Sequence, residues 1–353
     1  MSLFVKQNSS GGIIINSANE NIAKVGDIVI DGFINSACLR VQSHYHTDHT
    51  VGFFESKLYH DILMSKATKD ILGSDKNSQD IFLRPGIIGF DYNNIYEINQ
   101  YKVNLLNNGH ILGSSQVQIT FSDYSIGYSG DFYDTKSILK VDHLIIDGSI
   151  GGLYKIRSFT RDDSINDLRE LIIKLTFNKH VLIKAHSGLL EKVFFWISDL
   201  LPNIPRIADE RFINSLEIYS NYGYGYVSNI IDKNDKEHGL KILKSGEPYI
   251  RLVMSSEDVF DIEDQLVINC SRFQDIQNEP IIQRSEKCYI ISLSDHADIL
   301  GTLEYVKNVN PEFISVDQVR MRNPDKAIRL LNYIANELNI IPVKLDILPD
   351  ERF

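Results

Sequence analysis

Four potential metal ligands fall within six residues of this chain, in an H-x-H-x-D-H run at residues 44–49. Imidazole nitrogens and carboxylate oxygens are ligands that zinc accepts. Because side chains two residues apart on an extended backbone point to the same side, His44 and His46 can reach one ion. Asp48 and His49 then lie on the turn into a helix and can face a second metal ion. A solvated histidine-rich loop is the alternative, which such tight spacing disfavours.

The length and composition of the chain allow two domains with full hydrophobic cores. It has 353 residues, and its 43% hydrophobic content is sufficient to fill them. No apolar run approaches the roughly 18 residues of a membrane span, and residues 1–12 lack the apolar core of a secretion signal. Three widely spaced cysteines, Cys38, Cys270 and Cys288, form no C-x-x-C pair. We therefore expect a cytoplasmic protein without a membrane partner.

The charge of the chain limits how it can meet nucleic acid. A net charge of −11 argues against a protein that coats nucleic acid through a broad basic surface. It does not exclude a nuclease, because a metal-centred site supplies its own positive charge.

The apolar pattern alternates strands with helices, which is typical of an α/β layered architecture. Ser65 has the position of a helix N-cap. An apolar run that ends in Asp147 is typical of a buried strand that carries an acid at its tip. The main predicted strands cover residues 58–64, 101–106, 115–121, 124–129, 144–147, 180–185, 288–293 and 313–316. The main predicted helices cover residues 65–72, 162–176, 187–200, 299–306 and 324–338.

Two further candidate ligands follow predicted strands. His110 comes after Gly109, and Asp131 comes after Gly130, so a glycine precedes each at a point where the backbone turns. Either residue alone could as well be structural. Together with the H-x-H-x-D-H run, and in this order on strand tips, they favour a metal centre.

The candidate ligands fit a centre of two zinc ions about 3.5–4 Å apart that share a hydroxide. Manganese or iron would accept the same nitrogen and oxygen ligands. Asp31 either orients a ligand histidine by accepting its second N–H or initiates a turn before Gly32. The expected assignments are His44, His46 and His110 for an ion with an open position, Asp48 and His49 for the second ion, and Asp131 as the bridge.

The H-x-H-x-D-H run resembles the metal signature of the metallo-β-lactamase fold, and later segments resemble the β-CASP nucleases. Residues 144–152 resemble the motif A strand, with Asp147 as its acid, and residues 292–298 resemble motif B, with His296. The resemblance implies a four-layer αββα metallo-β-lactamase domain at residues 1–150 and 286–353. It implies an inserted α/β β-CASP domain at residues 151–285.

The same resemblance implies roles for individual residues. Asp48, His296 and Asp147 would be catalytic, with His296 as a general acid that Asp147 holds in place. Residues 181–191 resemble the strand, turn and helix that carry backbone-binding residues in this family. The residues at the matching positions are Lys184, His186 and Ser187.

Motif C departs from the RNA-processing branch of the family. That branch has a metal-binding histidine where this chain has Asp317, which is either a ligand of the second metal or a polar residue at a strand end. The Artemis-like DNA-repair branch also lacks this histidine, and the short gap between Asp31 and the metal run is similar to that branch. In contrast, residues 109–114 resemble the nuclease subunit of the cleavage and polyadenylation factor and its archaeal relatives.

The leading hypothesis is a zinc-dependent nuclease that hydrolyses RNA phosphodiesters by a metal-bridged hydroxide, as in mRNA 3′-end processing. The alternatives are a DNA exonuclease of the Artemis-like branch, acting on single-stranded DNA, and a small-molecule metallohydrolase on the same fold. A non-catalytic scaffold is disfavoured because the ligand set is retained. Tyrosines at residues 219–226 either stack on bases or form a packed strand with glycine turns. A homodimer and a partner in a processing complex both remain open.

Overall fold

The computed structural model describes residues 5–16, 26–74, 82–133, 136–149, 156–177, 179–257, 265–271, 278–320 and 324–350. Within these ranges the chain forms three mixed β-sheets and eight α-helices, which is an α/β fold as expected. The chain divides into two compact units. The first unit is Met1–Tyr154 with His296–Phe353, and the second is Lys155–Asp295.

The first sheet belongs to the first unit and has seven strands. They are β1 (Val5–Asn8), β2 (Ile13–Ile15), β3 (Asp27–Ile30), β4 (Ala37–Val41), β5 (Asp61–Ser65), β6 (Ile87–Phe90) and β21 (Asp346–Leu348), in the spatial order β21-β1-β2-β3-β4-β5-β6. Strands β3 to β6 are parallel. The residues that follow β3 and β4 therefore leave the sheet at the same edge.

The second sheet also belongs to the first unit and has seven strands. They are β7 (Ile95–Ile98), β8 (Tyr101–Asn107), β9 (Ser115–Phe121), β10 (Tyr124–Tyr128), β11 (His143–Ile146), β19 (Phe313–Val316) and β20 (Ile341–Pro342), in the spatial order β20-β19-β11-β10-β9-β8-β7. Because β10, β11 and β19 are parallel neighbours, their carboxyl ends meet at one edge.

Eight helices connect and cover the sheets within the described ranges, and none of these is long and apolar enough to cross a membrane. They are α1 (Phe53–Tyr59), α2 (Lys66–Gly73), α3 (Arg161–Leu175), α4 (Leu189–Trp196), α5 (Glu210–Asn221), α6 (Gly239–Ser245), α7 (Ile299–Val309) and α8 (Pro324–Leu338). Ser65 caps α2 as the sequence predicted, because its Oγ accepts a hydrogen bond from Thr68 N at 3.1 Å.

Two apolar clusters fix the second sheet of the first unit. One cluster contains side chains from both sheets, including Ile28 and Leu39 from the first and Val117 and Ile145 from the second. The two sheets therefore pack against each other. The other cluster contains residues of β11 and β19 together with α7 and α8, such as Leu330. Burial of these side chains from water is the main stabilising term for this arrangement.

The third sheet belongs to the second unit and also has seven strands. They are β12 (His180–Ala185), β13 (Arg206–Ala208), β14 (Ile230–Asp232), β15 (Ile250–Met254), β16 (Gln265–Ser271), β17 (Ile281–Ser285) and β18 (Cys288–Ser292), in the spatial order β14-β13-β15-β12-β16-β18-β17. Only β17 is antiparallel to its neighbour among these described strands. The apolar sides of α3, α4 and α5 pack with this sheet in one core.

The unit boundaries differ from those expected from the sequence. The predicted return to the first domain was at residue 286, and the chain enters the first unit again at His296. The reason is that β18 pairs in parallel with β16, which keeps the strand in the third sheet. The other boundary, predicted at residue 151, lies at Lys155.

Two local predictions were wrong. The strand predicted over residues 58–64 begins only at Asp61, because Leu58 and Tyr59 form the end of α1 and lie exposed. The tyrosine-rich segment is not a strand: it begins in α5 and continues as an irregular segment after Asn221. Tyr226 in this segment is almost fully exposed. In both places apolar or aromatic side chains lie on the surface, so the pattern alone was misleading.

Candidate metal centre

The edges of the two sheets in the first unit bring four predicted ligands into one group. His44 and His46 follow β4, His110 follows β8 and Asp131 follows β10. A ligand atom from each of these residues lies within 4.8 Å of a ligand atom from every other. The sequence predicted these residues as ligands, and the fold places them together from three separate strand ends.

The geometry inside this group suits a divalent metal ion. Asp131 Oδ2 lies 3.7 Å from His44 Nε2 and 3.8 Å from His110 Nε2, and His110 Nε2 lies 3.3 Å from His46 Nδ1. His44 Nε2 is buried and has no hydrogen-bond partner among the described residues. Burial lowers the pKa of His44 well below its usual value, so its imidazole is neutral, which is the form that binds metal. The donors therefore fit such an ion.

The bridging candidate Asp131 is kept ionised by its neighbours. Burial raises the pKa of this carboxyl group, but the charges of His49 and His296 outweigh burial and hold the pKa well below its usual value. Gly130 has a φ of +57°, and a Cβ at this position would lie 2.8 Å from Ser115 O. Glycine is thus required for the turn that directs Asp131 to the histidines.

A second group contains Asp31, His44 and His49. His49 Nδ1 lies 2.8 Å from Asp31 Oδ2, and His49 Nε2 lies 3.3 Å from Asp131 Oδ1. Asp31 also accepts hydrogen bonds from the backbone N–H and hydroxyl of Ser43, and Ser43 Oγ contacts His44 Nδ1 at 2.9 Å. Asp31 therefore fixes the ring of His49 directly and that of His44 through Ser43, which is one of the two roles that the sequence allowed.

The protonation of His49 depends on these two carboxylates. Burial and the charge of Arg320 lower its pKa, but Asp131 and Asp31 outweigh them and raise the pKa to about 10. In the metal-free protein the ring therefore carries two protons at neutral pH. A metal ion could bind its Nε2 only after this proton leaves.

A third group contains Asp131, Asp147 and His296. His296 Nδ1 lies 2.8 Å from Asp147 Oδ2, and its Nε2 lies 3.8 Å from Asp131 Oδ2. The ring of His296 is 4.7 Å from the ring of His110, centre to centre. Asp147 thus orients one nitrogen of His296 while the other nitrogen faces the first group.

A buried arginine that the sequence analysis gave no role supports the metal-binding loop. Arg40, in β4, is fully buried and donates hydrogen bonds to the carbonyl oxygens of His49 and Val51, both at 3.0 Å. Gln42 donates to the carbonyl oxygens of His44 and His49 at 2.6 and 3.0 Å. A charged residue inside the apolar strand A-C-L-R-V was the available signal for this role.

Asn108 joins the loops that carry His110 and Asp131, and its role was also missed. It is fully buried, and its amide group donates to the carbonyl oxygens of Ser129 at 2.9 Å and Asp131 at 2.7 Å. Its Oδ1 accepts a hydrogen bond from Ser114 Oγ at 2.5 Å. This side chain therefore fixes the spacing between the ends of β8 and β10.

Two other predicted ligands are not in any of the three groups formed by the described residues, namely Asp48 and Asp317. The side chain of Asp48 is 62% exposed, and its Oδ2 lies 3.9 Å from His49 Nε2. Asp317 is buried, but it accepts hydrogen bonds from Gln7 Nε2 at 2.6 Å and Tyr128 OH at 3.1 Å, and it forms an ion pair with Arg320. The structure therefore gives Asp317 protein partners in place of a metal.

The predicted substrate-binding residues all lie in the second unit. Lys184, in β12, donates to the carbonyl oxygen of Glu257 at 2.7 Å. His186 and Ser187 lie in the turn before α4, and His186 is exposed. Their position at the carboxyl end of a parallel strand is one where ligands often bind in α/β folds.

Comparison with other proteins bears on the fold alone. No protein-family model matches the chain, and no curated protein matches its sequence. The structure is similar to the crystal structure of a protein of unknown function from Enterococcus faecalis V583, with a TM-score of 0.56 and 15% sequence identity. The match covers 82% of this chain and 76% of that chain. The α/β fold of most of the chain is thus similar to that of a known structure.

Proposed function

We propose that this protein is a metal-dependent nuclease that hydrolyses phosphodiester bonds in RNA. The observation that carries the proposal is the Asp147–His296 pair beside the four-residue ligand group. A metal group alone would suit many hydrolases. An oriented histidine on its border adds a proton donor, which the leaving alkoxide of a phosphodiester requires.

The proposal includes the fold family. We assign the first unit to the four-layer αββα metallo-β-lactamase fold and the second unit to an inserted β-CASP domain. The packed pair of sheets and the helices α7 and α8 on the second sheet support the first assignment. The mostly parallel sheet of Lys155–Asp295 supports the second.

The residues of the chain divide the chemical work. His44, His46, His110 and Asp131 would hold a divalent ion, which supplies a Lewis acid and lowers the pKa of a water molecule when bound. His296 donates a proton from Nε2 to the leaving oxygen. Asp147 accepts the hydrogen bond from Nδ1–H, which fixes the orientation of the ring. Asp31 keeps the ring of His49 in place throughout.

Single-stranded DNA is the second candidate substrate, and the state of Asp317 favours it. The sequence resembles a DNA-repair branch that lacks a metal-binding histidine at this position. The contacts of Asp317 with Gln7, Tyr128 and Arg320 argue against a role as a substitute for that histidine. The segment around His110 favours RNA, and RNA therefore remains the first choice.

The test uses zinc-loaded protein and end-labelled RNA and single-stranded DNA of the same sequence. Cleavage is compared with that by the Asp48→Ala/His49→Ala double variant and by His296→Gln. His238→Gln is the matched control, because His238 is an exposed histidine of the second unit, 66% accessible, with its Nδ1 3.5 Å from Asp235 Oδ2.

Cleavage of RNA that is lost in both site variants and retained in the control would support the proposal. Cleavage of DNA alone would replace it with the second candidate. If neither substrate is cleaved while metal is bound, the result would contradict the proposal and favour a partner-dependent or small-molecule hydrolase, and a set of small ester, thioester and lactam substrates is the next assay.

A further inference from the structure

The two sides of the candidate centre differ in how many of the predicted metal ligands lie close together. On one side, His44, His46, His110 and Asp131 face one another within 4.8 Å. On the other side, His49 Nδ1 contacts Asp31, and His49 Nε2 lies 3.3 Å from Asp131 Oδ1. The further ligands that the sequence predicted for a second ion there are Asp48 and Asp317. Neither residue meets the same spacing, as described above.

Arg320 provides the ionic partner of Asp317. Its guanidinium group pairs with Asp317 and also contacts Tyr128 OH at 3.2 Å. The side chain of Arg320 is 8% exposed and that of Asp317 is 3% exposed, so solvent does not weaken the pair much. The charge of Asp317 is therefore neutralised before any ion arrives.

The same guanidinium group also restrains the backbone beside the metal-binding run. It donates to the carbonyl oxygen of Asp31 at 3.0 Å and to that of Asp48 at 3.3 Å. Gly11, with a φ of +103°, makes room for it, since a Cβ there would lie 3.1 Å from Arg320 Cζ. Arg320 thus binds the backbone of both segments and places a positive charge beside them. An anionic or neutral group at this position would instead favour the binding of a second ion.

We propose that the centre binds one divalent ion tightly, at the His44–His46–His110–Asp131 group, and a second ion much more weakly. This inference rests on the proposed metal-dependent function and revises the expectation of two equivalent zinc ions. Arg320 is a positioning residue that binds the loop through its backbone. Loss of a residue that hydrogen-bonds to a metal ligand lowers metal affinity about 10- to 100-fold. The absence of a metal ligand itself should lower the affinity at least as much.

The experiment measures zinc stoichiometry and affinity in the whole protein, independently of any activity. Metal-free protein is titrated with zinc against a chromophoric chelator, and metal content is measured after dialysis. The variants are Asp48→Ala, Asp317→Asn and His110→Ala, and thermal unfolding confirms that each is folded. Asp48→Ala changes an exposed side chain, so it keeps the test open if the buried Asp317→Asn variant does not fold.

We expect one tight equivalent in the wild type and a second at least about 10-fold weaker. Asp48→Ala and Asp317→Asn should retain the tight equivalent, and His110→Ala should lose it. Two tight equivalents in the wild type, or loss of a tight equivalent in Asp48→Ala or Asp317→Asn, would overturn the inference while leaving a metal-dependent function intact. Absence of any zinc binding would reject both proposals.

Discussion

Asp131 and Asp317 are two buried aspartates at the carboxyl ends of strands in the same sheet, and they have different partners. Asp131 lies among histidines and has Oδ2 within 3.8 Å of three of them, His44, His110 and His296. Asp317 faces Gln7, Tyr128 and Arg320. One carboxylate is surrounded by groups that can bind metal, and the other by groups that already satisfy it. Position at a strand end therefore does not decide whether an acid is a ligand; its neighbours do.

Asp131→Asn should have the largest effect. The amide keeps the size of the side chain but removes the charge that faces the histidines, so tight zinc binding should weaken by at least about 100-fold. Hydrolysis should fall to background. Chelator competition measures the affinity, and wild-type affinity in this variant would show that Asp131 is not a ligand.

His296→Gln should separate proton donation from metal binding. Loss of a general acid typically costs about 10²- to 10⁴-fold in rate. We expect a fall of that size in kcat on whichever nucleic acid is cleaved, with zinc content unchanged. A variant that keeps its rate would indicate that His296 is structural, and a variant that loses its zinc would place His296 among the ligands.

Asp317→Asn should affect stability more than metal binding. It leaves the buried Arg320 without its ionic partner, and removing one member of a buried pair costs about 3–5 kcal/mol. Urea unfolding of the metal-free protein measures this loss. The same measurement on Asp131→Asn is the control, and an equal loss in both variants would remove the distinction between the two aspartates.

Asn108→Ala should lower the free energy of unfolding by removing hydrogen bonds between the loops that carry His110 and Asp131. It removes the donors for two buried carbonyl oxygens, at about 1–3 kcal/mol for each unsatisfied group. We therefore expect a loss of about 2–6 kcal/mol in unfolding free energy and weaker zinc binding. Asn94→Ala, at an exposed asparagine, is the control and should match the wild type.

His143→Asn extends the comparison to histidines. It should have the smallest effect of these substitutions, a change in how the free energy of unfolding depends on pH. His143 is buried in β11, where its Nε2 contacts Ser315 Oγ at 2.8 Å, and burial lowers its pKa to about 4. A base with a lowered pKa in the fold stabilises above its unfolded pKa, near 6.5, and this stability is lost as the pH falls towards 4. Between pH 7 and 5.5 the loss should be about 1 kcal/mol. His143→Asn should lack this component of the pH dependence in urea unfolding, and an unchanged pH profile would contradict the assignment.

The first ligand group could be predicted from the sequence because residues adjacent in the chain mark each of its ligands. The H-x-H-x-D-H run places its ligands by backbone geometry, and Gly109 and Gly130 mark the turns before His110 and Asp131. The α/β class followed from the alternation of strands and helices. These features depend on neighbours in the chain, which a pattern shows directly.

The partners of Asp317 could not be predicted, because they come from distant parts of the chain. Gln7 lies 310 residues away and Tyr128 lies 189 residues away. Arg320 is close in sequence, but nothing in the pattern shows that its side chain is buried. The boundary at His296 was missed for the same reason, since pairing between β16 and β18 is a tertiary contact.

The buried Arg40 has a consequence for the order of events in acid. A guanidinium group remains protonated throughout the acidic range, even though burial lowers the pKa of Arg40 to about 10. Its hydrogen bonds to the carbonyl oxygens of His49 and Val51 therefore persist when protons begin to displace an ion from the imidazoles. Demetallation and collapse of the loop become separate steps, and an acid-stripped protein returned to neutral pH would reload without first having to refold.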